Sequence, residues 1–181
     1  MKSRYLLVMF LLALGVNPPA GAVSNNQWST ISDISAWALV GSAVVVMPVV
    51  HDDWEGFRQA GLSVGVAGGL ATLGKAVVHE ERPDGSDNKS FPSGHTALAF
   101  ASATTMYRRY GWDYAIPAYA LATLTGAARV AARKHYWWDA LAGAAIGTGS
   151  GWFFTDPLND KVRLVPWADS KRVGIVVGVT W

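Results

Sequence analysis

The chain has 181 residues, 51% of them hydrophobic, no cysteine and a formal net charge of +2. That length supports one domain with a core of its own, and the lack of cysteine excludes disulfides and thiolate metal sites. A sequence pI near 9.0 without dense Lys/Arg clustering excludes a nucleic-acid binder, so any anionic partner must be met locally.

Residues 1–22 read as an export leader: Lys2 and Arg4, the apolar run "YLLVMFLLALG", then Ala20-Gly21-Ala22 with small residues at the cleavage spacing. Cleavage is expected after Ala22, and the alternative is an uncleaved first membrane helix. A bundle domain at 23–156 and a tail at 157–181 follow.

Apolar stretches recur at about 34–50, 60–78, 93–107, 113–128 and 138–155, and all are expected to be helices. The last three are rich in Ala, Gly, Ser and Thr, which lets helices approach closely, as in membrane bundles. The run from Ser93 to Tyr107 is short for a bilayer crossing, and the mean hydropathy of +0.20 is low, so a buried soluble bundle fits the same pattern. Charge placement favours the membrane. Arg108 and Arg109 fall on the side of Lys2 and Arg4, while Trp28, Trp37, Trp54, Trp112, Trp137, Trp138 and Trp152 sit near segment ends. The expected fold is an all-α, membrane-embedded bundle of five or six helices, with the connections 79–92 and 129–137 together on the exported side.

The first connection carries two cations and a turn. Lys75 lies at a helix end, Arg82 follows, and Pro83 is expected to stop the helix. Pro92-Ser93-Gly94-His95 then opens the next helix. Ser93 is expected to cap it, and the free amides of the first turn make an anion site beside His95. Each piece also has a plain structural reading: a snorkelling lysine, an ion pair of Arg82 with Glu80 or Glu81, and a simple turn.

The second connection runs into "ARKHYWWDALAG", residues 132–143. On a helix, His135 and Asp139 would share a face, so that the carboxylate takes one ring N–H and leaves the other nitrogen's lone pair outward. That is an oriented nucleophile or base, although a His–Asp pair that only pins a helix start fits the spacing equally well. Arg129 adds a third cation. A divalent metal held by His79, His95, His135, Asp139, Glu80 and Glu81 is disfavoured, because three converging cations repel a metal and attract an oxyanion; no metal or cofactor is expected. His51 and His79 read as ordinary polar residues.

The tail switches to a period of two. Val173, Ile175, Val177, Val179 and Trp181 alternate with small or polar residues after an Ala-Asp-Ser-Lys turn, which predicts a short C-terminal β hairpin.

Taken in order, Lys75 with six residues to Arg82-Pro83, then Pro92-Ser93-Gly94-His95, then Arg129 with five residues to His135 and three more to Asp139 resembles the type 2 phosphatidic acid phosphatase superfamily. That superfamily includes bacterial class A acid phosphatases and vanadium haloperoxidases. The resemblance implies a metal-independent phosphatase. Lys75, Arg82, Arg129 and the amides near Ser93 and Gly94 would hold the phosphate oxygens, and His135, oriented by Asp139, would attack phosphorus to give a phosphohistidine. His95 would protonate the leaving oxygen and then deprotonate the hydrolytic water. One position departs from the pattern: Ala128 stands where the family usually has Ser before the arginine. A phosphorylated lipid at the bacterial inner membrane, with the site facing the periplasm, is the expected substrate. The alternatives are a soluble periplasmic acid phosphatase on small phosphoesters, a vanadium haloperoxidase and a non-catalytic membrane protein. No nucleic-acid partner is expected.

Overall fold

The computed structural model describes residues 23–158, 162–168 and 173–179. The expected leader at 1–22 lies outside them, as do residues 169–171 of the tail turn. Five helices make the bundle: α1 (Asn25–His51), α2 (Trp54–Val77), α3 (Gly94–Tyr110), α4 (Trp112–Ala131) and α5 (Trp137–Phe154). Strands β1 (Val162–Ala168) and β2 (Val173–Val179) pair antiparallel, from Val162 opposite Val179 to Ala168 opposite Val173.

Helix boundaries differ from those expected at three points, one being that α2 begins at Trp54, capped by Asp53, rather than near residue 60. α1 begins at Asn25 rather than near residue 34 because a capping box starts it: Ser24 N donates to Gln27 Oε1 at 2.8 Å, and Gln27 N donates to Ser24 Oγ at 3.3 Å. α2 ends at Val77 and not at Pro83, as the β-branched Val78 turns extended. The connection then folds back on itself, with Ser90 N donating to Glu80 O and Arg82 N to Asp87 O, each at 2.9 Å. Arg82 therefore sits on a loop.

α3 is the central helix and packs against the other four. Its sequence allows this because its inward positions are small: Ala97, Ala99, Ala101, Ala103, Ser102, Thr104 and Thr105 are all buried. The buried hydroxyls find partners, with Ser102 Oγ donating to Leu98 O at 2.9 Å, and Thr104 and Thr105 pairing with Tyr119 and Thr155. Large apolar side chains lie outside instead. Trp37, Val49, Leu62, Leu73, Ile116, Leu141 and Phe153 are exposed, while the core is mostly alanine. Small residues inward and large apolar residues outward is the pattern of a bundle whose outer surface faces lipid. α1 and α2 are each long and apolar enough to cross a bilayer. The low hydropathy of α3 follows from its place, since it is wrapped by protein.

A glycine stripe sets the closest approach. Gly143, Gly147 and Gly151 recur every fourth residue along α5 and face α3. A Cβ on Gly147 would meet the Ala97 carbonyl oxygen and stand 2.8 Å from Ala101 N, and one on Gly151 would stand 2.6 Å from Thr104 Cβ. Backbone cannot yield there. We expect Gly147→Ala to destabilise the protein by about 3 kcal/mol through overpacking. Gly149→Ala, which meets nothing within 4 Å, should stabilise the helix by roughly 0.5–1 kcal/mol. Thermal unfolding of both variants in detergent checks this, and equal midpoints would remove the stripe from the packing account.

The end of the bundle away from the motifs is pinned by a buried ion pair. Arg109 reaches across to Asp53, the cap of α2, which also accepts from Gly56 N at 2.9 Å and Tyr110 OH at 3.1 Å. Arg109 is thus a structural cation as well as one on the expected inner side.

Candidate active site

The three motifs meet at one end of the bundle. Lys75, in the last turn of α2, spans to the following loop: its Nζ donates to the carbonyls of Lys89 at 2.7 Å, Ser90 at 3.3 Å and Pro92 at 2.6 Å. Arg82 ties the two connections together, donating from Nε to Asp87 Oδ1 at 2.7 Å and from Nη1 to Lys134 O at 3.3 Å. Lys134 Nζ returns to Asp84 Oδ2 at 2.7 Å. The Lys134 ammonium holds the Asp84 carboxyl well below the usual carboxylate range, and the Arg82 guanidinium does the same for Asp87.

Ser93 occupies the cap position of α3 but does not cap it. Its hydroxyl pairs with Thr96 Oγ1 at 2.9 Å, and its own N–H donates to Asp139 O at 3.0 Å. No side chain caps the first turn, which leaves the amides of Gly94 and His95 as the free donors of a helix start.

The second connection is shaped by how α4 stops. Arg133 takes the left-handed conformation, φ 57. Arg133 N donates to Val130 O at 2.9 Å and Lys134 N to Arg129 O at 3.1 Å, the paired bonds of a Schellman end. This places His135 directly beyond the last turn of α4, beside Arg129.

His135 and Asp139 do not share a helix face, contrary to expectation. His135 precedes Tyr136, the cap of α5, and Asp139 is the third residue of that helix, so its carboxylate completes the capping box by accepting from Tyr136 N at 2.9 Å. The two side chains still meet, with His135 Nδ1 at 3.5 Å from Asp139 Oδ2. Both are buried, at 2% and 0% exposure. Neither Nδ1 of His135 nor Oδ1 of Asp139 has a hydrogen-bond partner. Burial, and then Lys75, Arg129 and Arg82, push the imidazole well below its ordinary pKa, against the pull of Asp139. That direction favours the neutral imidazole, which carries a lone pair on one ring nitrogen. Among the described residues, no three His, Cys, Asp or Glu side chains gather as a metal would need. Ala128, at the departing position, is fully buried.

The description "PAP2 superfamily" belongs to the family model that matches residues 56–163, which includes all three motifs. The chain belongs to the PAP2 superfamily.

This PAP2 chain is 34% identical over 131 residues to the lipid A 1-phosphatase of Porphyromonas gingivalis, covering 66% of the chain and 29% of that protein. It is 36% identical over 130 residues to the lipid A 4'-phosphatase of Helicobacter pylori, covering 67% of the chain and 66% of that protein. Among solved structures its fold is similar to Aquifex aeolicus LpxE, with TM-score 0.62 and 20% identity over 82% of this chain and 93% of that one. It is also similar to a transmembrane PAP2-type phosphatidylglycerolphosphate phosphatase from Bacillus subtilis, with TM-score 0.59 and 20% identity over 83% and 92% of the two chains.

The structure adds residues to the PAP2 motifs that spacing did not reveal. Ser90, fully buried, donates its hydroxyl to Asp139 Oδ2 at 2.5 Å. The polar head of α1 supplies Ser29, Ser32 and Asp33, which accept from Arg129 Nη1 at 3.4, 3.3 and 3.1 Å. The Ser24/Gln27 capping box was the available signal, because a helix starting at Asn25 places positions 29, 32 and 33 on one face.

Proposed function

We propose that this PAP2 protein is a membrane phosphatase that removes phosphate from a phosphorylated lipid of the lipid A class, without metal, through a phosphohistidine on His135. The observation that carries this reading is His135, buried and 3.5 Å from Asp139, in the field of Lys75, Arg82 and Arg129 at the end of an apolar bundle. Three cations and the open amides of α3 suit a phosphate carrying about two negative charges, and act most strongly as charge spreads in the transition state. The names of the two lipid A phosphatases support the substrate class. Trp137 and Leu141, both exposed at the start of α5, support entry of a headgroup whose chains stay in lipid. The charges of the leader support a periplasm-facing site.

In this reading the lone pair of His135 Nε2 attacks phosphorus in line, because Nδ1 faces Asp139. The P–O ester bond breaks, and the leaving oxygen takes a proton from His95. Water then attacks phosphorus as His95 takes its proton; a P–O bond forms, the P–N bond breaks, and phosphate and the free imidazole result.

Phosphate release by the purified protein in detergent tests the proposal, with lipid A, phosphatidic acid and nitrophenyl phosphate as substrates, each with EDTA and with vanadate. Release from the lipid substrates should persist in EDTA and stop with vanadate, which copies the five-coordinate transition state. Release from nitrophenyl phosphate alone would favour the small-phosphoester reading. Activity lost in EDTA and restored by zinc or magnesium would end the metal-free mechanism.

A further inference from the structure

Arg129 and His95 meet a carboxylate that lies outside all three motifs. Asp33, on α1, places Oδ1 at 3.0 Å from His95 Nε2 and at 3.1 Å from Arg129 Nη1. With Ser29 and Ser32 on the same face, α1 supplies every hydrogen-bond acceptor found on that Nη1. The buried Nε of Arg129 has no partner, so the contact with Asp33 leaves a guanidinium donor unused. The site thus holds two His–Asp pairs, and Asp33–His95 is the shorter, at 3.0 Å against 3.5 Å for Asp139–His135.

We propose that Asp33 is a positioning residue for the acid–base step, fixing the ring of His95 through Nε2 and leaving Nδ1 to exchange protons with the leaving oxygen and with water. The inference rests on the phosphatase reading above and deepens it. A carboxylate on one ring nitrogen orients an imidazole and stabilises its protonated form without itself taking the proton. Protonated His95 gives the Nδ1 proton to the leaving oxygen, keeps its Nε2–H on Asp33, and recovers a proton at Nδ1 from the hydrolytic water. Asp33 is about half exposed, at 47% for its side chain, and asparagine has nearly its volume and keeps an oxygen for Arg129 Nη1.

The test compares Asp33→Asn and Asp33→Glu with the wild-type protein on two substrates, a phosphorylated lipid whose alkoxide leaves poorly and nitrophenyl phosphate, whose phenolate leaves well. A group that serves proton transfer matters most for the poor leaving group. We expect the rate of phosphoenzyme formation by Asp33→Asn, read by rapid quench because hydrolysis of the phosphoenzyme is common to both substrates, to fall about tenfold or more on the lipid and less than about threefold on nitrophenyl phosphate. KM and the unfolding midpoint should change little, and Asp33→Glu should recover part of the lipid rate. An equal loss on both substrates would make the role structural and overturn the proposal. So would an unchanged lipid rate, or a fall in KM with kcat kept, which would mark Asp33 as an occupant of the phosphate site. A wild-type protein that releases phosphate from neither substrate would reject the phosphatase reading itself, before any variant is compared.

Discussion

His135→Ala should abolish phosphate release and phosphoenzyme formation together, with kcat lower by at least about 10⁴-fold. The expectation rests on position and charge. His135 is held at the junction of α4 and α5 by the Schellman end, and Lys75, Arg82 and Arg129 surround it. Burial first, and then those cations, lower the imidazole's affinity for a proton, and in the proposed reading the same cations hold the phosphate against it. Alanine leaves the binding cations in place. The variant should therefore still bind vanadate while forming no acid-labile phosphoprotein. Rapid quench with radiolabelled substrate measures both, and phosphate trapped on another residue, or turnover at the wild-type rate, would reject His135 as the nucleophile.

Asp139→Asn should lower kcat by about 10²- to 10⁴-fold with little change in KM, by analogy with the wrong-tautomer effect in hydrolytic triads. Asp139 Oδ2 already accepts from Ser90 Oγ and from Tyr136 N, so the amide oxygen of asparagine will be drawn to that position. That oxygen still faces His135 Nδ1, as Oδ2 does at 3.5 Å, but it is neutral and accepts the ring proton more weakly than the carboxylate. The tautomer protonated on Nε2 gains population, and the positive charge that develops on the ring during attack loses its counter-charge. The cap of α5 survives, because Tyr136 N still meets an oxygen, and folding should be retained. Pre-steady-state measurement of phosphoenzyme formation separates this from a binding defect. A rate within threefold of wild type would show that Asp139 serves only as a cap, the plainer reading its spacing also allowed.

Most of the candidate site was legible because its chemistry is written in residue types at fixed intervals. Lys75, Arg82, His95, Arg129, His135 and Asp139 converge at one end of the bundle, as the ordered motifs implied. Geometry was less legible. Four-residue spacing between His135 and Asp139 suggested a helical face, but the chain turns between them, and a cap brings the groups together. Ser93 has the composition of a cap and spends its hydroxyl on Thr96 instead. Arg82 was read as standing just ahead of a helix stop, yet the helix ends at Val77.

The partners of Asp33 and Ser90 were not legible, because those contacts exist only across the fold. Asp33 is 62 residues from His95 in sequence, and nothing in the segment "SDIS" indicates that partner. Ser90 reaches Asp139 because the loop after α2 folds back, an event set by backbone pairs at Glu80 and Arg82. Local pattern reports what a residue can do within one or two turns; partners across the bundle depend on how the helices are stacked.

By itself the sequence determined the helical class of the bundle, the small-residue character that lets its helices pack closely and the charged groups suited to a phosphate. Tertiary structure decided which surface is apolar and outward, that α3 is sheltered at the centre, and that the head of α1 joins the site. The physical reason is that amino-acid type sets side-chain size, charge and proton affinity locally, whereas exposure and partnership are properties of an arrangement. A run of alanines or a lone aspartate carries the same local signal in either setting; the close approach of α3 to the glycines of α5 places the alanines, and the packing of α1 against α3 and α4 places Asp33.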